Sequence, residues 1–118
     1  MNGTIEVIYK KPGKAPEIRE IVNTLDIFQT LVGGHIETVR LTKSVLLVCN
    51  EEGKLLGLEP NIFCRNDVIV GPVILVGDAG EDFGSVKDIE LWKMMLEESG
   101  MEEEEDGGAY SLEENDEP

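Results

Sequence analysis

The stretch Asp67-Val68-Ile69-Val70-Gly71-Pro72-Val73-Ile74-Leu75-Val76 is the most continuous run of β-branched and aliphatic residues in the chain. Such residues fit a pleated backbone, and a segment apolar on both sides needs cover on both faces of its sheet. The run predicts a strand over residues 67–76. Pro72 has no N–H to give to a ladder, so that strand is bent, bulged or at an edge around Gly71-Pro72. Upstream, Val45-Leu46-Leu47-Val48-Cys49 is a second unbroken apolar run, read as a central strand covered on both faces. A sheet with helices packed over it follows from these two strands.

Working outward, residues 4–9 are β-rich and residues 17–22 return as a second strand, with Pro12-Gly13 and three lysines in the turn between them. Asn23 or Thr24 caps a helix whose stripe is Leu25, Phe28, Leu31 and Val32, and Gly33-Gly34 stops it. Residues 35–41 alternate, with Ile36, Thr38 and Arg40 on one face and Glu37, Val39 and Leu41 on the other. Residues 50–54 read as a turn with Gly53 at positive φ, residues 60–64 as a short helical turn, and residues 77–84 as a loop. Ser85 followed by Asp88 has the spacing of a capping box for a second helix from Val86 to about Ser99, with Ile89, Trp92, Met95 and Leu96 as its stripe. The expected order is β-β-α-β-β-β-α, an α+β domain over residues 1–100 with a small mixed or antiparallel sheet and two helices.

Composition narrows the function classes. The 118 residues carry 10 Lys+Arg against 25 Asp+Glu, a formal net charge of −15. Nine of the carboxylates lie between Glu102 and Glu117 with no base among them, which leaves −6 on residues 1–101. Residues 101–118 have only Tyr110 and Leu112 as large apolar side chains. They cannot offset an ordering cost of ~1–2 kcal/mol per residue, and are expected to be a disordered acidic tail. Duplex nucleic acid is excluded as a direct partner, because binding it needs a basic footprint. No apolar run approaches a membrane span and no secretory core follows Met1. Two cysteines and one histidine build neither a disulfide framework nor a metal site. A cytoplasmic protein without cofactor or metal is the expectation.

No catalytic constellation emerges. Gly53-Lys54 lacks the spacing of a phosphate loop, and His35, the one histidine, has no marked partner. Cys49 ends an apolar strand and reads as core. Asp78, Glu81 and Asp82 supply too few oxygens, at the wrong spacing, for a calcium loop. Polar side chains do crowd into turns between the apolar strands. Asn50, Glu52, Lys54, Asn61 and Arg65 are therefore the candidate ligand-binding residues.

Several strings occur together in a familiar order. They are Pro12-Gly13-Lys14 with Pro16, Val32-Gly33-Gly34-His35-Ile36-Glu37, Cys49-Asn50-Glu51-Glu52-Gly53-Lys54, Gly57-Leu58, Pro60-Asn61, Asp67-Val68-Ile69-Val70-Gly71 and Glu81-Asp82-Phe83-Gly84. Over residues 4–98 the chain resembles domain-of-unknown-function family 3846, small proteins of bacteriophages and conjugative elements. It departs from the family's Gly-Leu-Pro by the extra residue in Gly57-Leu58-Glu59-Pro60. The resemblance implies an accessory protein of a mobile element, and no activity.

Two functions fit that setting. The first is a non-enzymatic binder that sequesters a small nucleotide-type defence signal, its phosphates held by Lys54, Arg65 and turn amides. The second is an acidic inhibitor or nucleic-acid mimic that binds a host defence protein. A homo-oligomer is also expected. If both helices lie on one face of the sheet, the other face stays bare and apolar, as interfaces are.

Overall fold

The computed structural model describes residues 3–64 and 66–99; the expected disordered tail and Arg65 lie outside them. The fold is α+β with wholly antiparallel pairing. Strand β1 (Thr4–Lys10) turns into β2 (Glu17–Val22), followed by helix α1 (Leu25–Val32), β3 (Ile36–Arg40) and β4 (Val45–Asn50). A single-turn helix α2 (Gly53–Leu56) leads to β5 (Pro60–Cys64), β6 (Asp67–Val70), β7 (Val73–Asp78) and β8 (Phe83–Gly84), and α3 (Ile89–Ser99) closes the described chain.

The main sheet runs β2-β1-β7-β4-β3, with β8 on β7, while β5 and β6 form a separate hairpin. The expected strand over residues 67–76 is thus two strands in two sheets. Gly71 at φ 79° and Pro72 break it completely: β6 turns back on β5 while β7 becomes the centre of the main sheet. Residues 60–64, expected as a helical turn, are β5. Asn66 at φ 62° tightens the return to β6, a conformation Asn tolerates.

Two more local expectations are corrected. Gly53 is not the positive-φ residue; it begins α2 and is buried where an added Cβ would lie 2.8 Å from Val70 Cγ2. The left-handed residue is Gly57, at φ 75°, which ends α2. Ser85 does not cap α3 either. Its Oγ accepts from the backbone N–H of Glu6 at 2.9 Å, and Val86 N–H donates to the Glu6 carbonyl. Residues 77–84 are therefore not simply a loop: β7 reaches Asp78, and β8 with Ser85 wedges between β7 and the start of β1. Gly77 permits this, since a Cβ there would stand 2.2 Å from the Ser85 carbonyl oxygen.

Helix α1 forms where its stripe predicts, but Leu25 of that stripe is 57 % exposed. Thr24 Oγ1 accepts from Ile27 N–H, Gly33 at φ 84° takes the left-handed cap, and Phe28 and Val32 are buried. They pack on Val7, Tyr9, Val48, Ile74 and Val76. The opposite face, with Ile8, Leu47, Cys49, Val73 and Leu75, lies under Leu96 of α3 and Ile62, Cys64 and Ile69 of the hairpin; Ile89 and Trp92 pack at its margin. The helices thus sit on opposite faces. That placement removes the bare face on which the expectation of a sheet-mediated homo-oligomer rested. β4 is the doubly covered strand its composition announces, lying between β3 and β7. Among the described residues no helix is long and apolar enough to cross a membrane.

Candidate functional site

Two grooves flank β3, one on each face of the sheet. The first has a volume of about 340 Å³ and lies between the start of α1 and the residues joining β7 to β8. Leu25, Phe28, Ile36, Leu46 and Phe83 form its walls, and Asp78, Glu81 and Asp82 stand at its rim. Phe28 and Phe83 meet edge to face with centroids 5.1 Å apart. Asn23, 9 % exposed, ties the rim to α1: its Nδ2 donates to Asp82 Oδ1 at 3.3 Å and to the Phe83 carbonyl at 3.0 Å. Arg40 is the groove's cation, already engaged by Asp78 Oδ2 at 2.7 Å and by the carbonyls of Thr42 and Lys43. The Arg40 guanidinium, with the Gly80 N–H, holds the Asp78 carboxyl below the usual carboxylate range.

The second groove, of about 320 Å³, lies on the other face among β3, the end of β4, α2 and β6. Its charged lining is Glu37, Glu51, Glu52, Asp67 and Lys54. Lys54 Nζ donates to Asp67 Oδ1 in an exposed ion pair, and this bond lowers the Asp67 pKa. Cys49 also lines this groove, and burial pushes its thiol up to about 11, with Glu37 and Asp67 adding in the same direction. The thiol therefore stays protonated near neutral pH and is no nucleophile.

The five ligand residues expected from sequence divide. Asn50, Glu52 and Lys54 meet at the second groove. Asn50 is chiefly a structural clasp there: Nδ2 donates to the Val32 carbonyl at 3.1 Å and Oδ1 accepts from Glu52 N–H at 2.7 Å. Asn61 does not join them. It is fully buried and clasps Lys10, accepting from Nζ at 2.7 Å while its Nδ2 donates to the carbonyls of Lys10 and Gly71. Arg65 lies outside the described residues.

Asn23, Arg40 and Phe83 of the first groove escaped the sequence reading, and Asp78 was weighed there only as part of a calcium loop. The acidic cluster at residues 78–82 was visible, but its meeting with Arg40, 38 positions away, depends on strand register. His35 is exposed, with Nδ1 3.5 Å from Gln29 Nε2. Among the described residues no three His, Cys, Asp or Glu side chains gather as a metal site.

Comparison with curated proteins and with solved structures gave no match. A family model described as Domain of unknown function (DUF3846) matches residues 5–97, which covers every strand but the first residue of β1 and nearly all of α3. The chain belongs to that family.

Proposed function

We propose that this chain is a non-catalytic binding module for a basic segment of another protein, the second of the two functions expected from its sequence. The observation that carries this reading is the charge balance at the two grooves. Each has several carboxylates, and the cation of each is already paired, Arg40 with Asp78 and Lys54 with Asp67. A nucleotide's phosphates would have to displace a carboxylate from its cation while facing the remaining acids. A lysine- or arginine-bearing segment meets the opposite situation, since complementary charge speeds encounter and sets specificity. The apolar walls of the first groove add area that a purely electrostatic contact lacks. In the mobile-element setting that the family resemblance implies, such a partner is a host defence protein.

Isothermal titration tests the reading. The probe is a capped nine-residue peptide of alternating leucine and lysine, set against the same peptide with glutamate for lysine and against cyclic and ADP-ribose-type nucleotides. The lysine peptide is expected to bind, more weakly as salt screens the rim, and Glu81→Lys is expected to weaken it. Heat with a nucleotide and none with the lysine peptide would overturn the reading in favour of signal sequestration.

A further inference from the structure

β3 is an edge strand, paired among the described residues with β4 alone. Its hydrogen-bonding phase follows from its two ends. Glu51 N–H donates to the His35 carbonyl at 2.8 Å, and Leu41 N–H to the Val45 carbonyl at 3.0 Å. Odd-numbered residues of β3 therefore bond inward to β4, and the backbone N–H and C=O groups of Ile36 and Thr38 point away from the sheet. The two grooves flank this edge: Ile36 lines the first, Glu37 and Val39 line the second. β2, the other edge of the sheet, contributes to neither.

We infer that β3 receives an extended segment of the partner as an added antiparallel strand, whose side chains drop alternately into the two grooves. This rests on the protein-binding reading above and says how that binding occurs. Strand addition takes affinity from main-chain bonds and specificity from alternate side-chain sites, and this edge has both. Charge selects the occupant. The carboxylates at Glu37, Glu51, Glu52 and Glu81 repel a second copy of a chain with net charge −15 and attract a basic strand. An edge guarded in this way resists self-association while remaining open to a cationic segment.

The geometry also sets the phase. Residues bonded across an antiparallel ladder share a face, so the partner residues that bond Ile36 and Thr38 place their side chains on the side of the first groove. Its apolar walls favour leucine there, and the carboxylates of the second groove favour lysine at the alternate positions. In the alternating peptide, the leucine nitrogens therefore point at β3 and the lysine nitrogens at solvent.

The test is N-methylation of the peptide, which leaves the protein untouched. Methylating the leucine nitrogens is expected to weaken binding at least tenfold, and methylating the lysine nitrogens to change it less than threefold. Amide hydrogen exchange on the full chain with the parent peptide is expected to slow at Ile36 and Thr38. If the parent binds but neither methylated phase weakens it, or the lysine phase does so instead, strand addition is overturned and the protein-binding reading stands. If the parent peptide does not bind at all, both fall.

Discussion

Replacing Asn61 by leucine separates a ligand residue from a structural one. Asn61 and Lys10 are both 0 % exposed, and the Asn61 amide makes three bonds of 2.7–2.9 Å, one of them to the ammonium. A hydrogen bond to a charged group contributes about 1.5–3 kcal/mol, and a buried polar group left without its partner costs about 1–3 kcal/mol. Asn61→Leu takes an acceptor from Lys10 Nζ, which keeps the Lys11 carbonyl at 3.5 Å, and the Nδ2 donor from two carbonyls, for a loss of about 4 kcal/mol. A small domain has only about 5–15 kcal/mol of stability. At a urea m-value of about 1.5 kcal/mol/M the midpoint drops by roughly 2–3 M. Trp92, the single tryptophan, sits against the core that the β5–β6 hairpin helps to form and reports the transition by fluorescence. Lys10→Met and the double variant complete a cycle. With the ammonium gone, Asn61→Leu no longer costs the charge-assisted bond, so the double variant is expected to be more stable than additivity predicts by about 1.5–3 kcal/mol. Additivity within about 0.5 kcal/mol, or an unchanged midpoint for Asn61→Leu, would refute the clasp.

Gly77→Ala drives a Cβ into the Ser85 carbonyl and is expected to cost more than about 2 kcal/mol in chemical denaturation; Gly57→Ala, with open space around it but φ 75°, costs about 1 kcal/mol. Thr24→Ala removes the α1 cap and is expected to lower stability by about 1 kcal/mol in the same assay. Asp67 and Asp78 have folded-state pKa values below their ordinary 3.8 because Lys54 and Arg40 bond the ionised carboxylates. Their contribution is present above the unfolded value and is lost as pH falls below about 4. Asp67→Asn and Asp78→Asn should each flatten the acid limb of Tm between pH 5 and about 2.5, and an unchanged limb in both variants contradicts the pairing. Iodoacetamide at about pH 7.5 is expected to leave Cys49 and Cys64 unlabelled in the folded chain and to label both in urea, since both are buried and the Cys49 thiol titrates at about 11.

Several features were legible from residue order because their causes are local. The α1 cap and stop, the stripe of Phe28 and Val32, the alternation of β3 and the two-faced burial of β4 follow from periodicity and from glycine or threonine at the helix ends. So does the class itself, an α+β domain; of the mixed or antiparallel sheet expected, the structure has the antiparallel one. Tertiary structure alone decided how the run at residues 67–76 divides. An apolar strand has the same composition in a main sheet or in a covering hairpin, and Gly71-Pro72 permits a bend or a complete break. Here the break is complete because β6 pairs with β5, and Asn61 of β5 is tied to Lys10 of the main sheet across 51 positions. The same holds for the faces the helices choose and for the grooves beside β3. Arg40 meets Asp78, and Asn23 meets Asp82, only after β7 enters between β1 and β4. Local sequence sets which backbone conformations are cheap; the pairing of distant strands sets which side chains share a surface, and a binding site is a property of that surface.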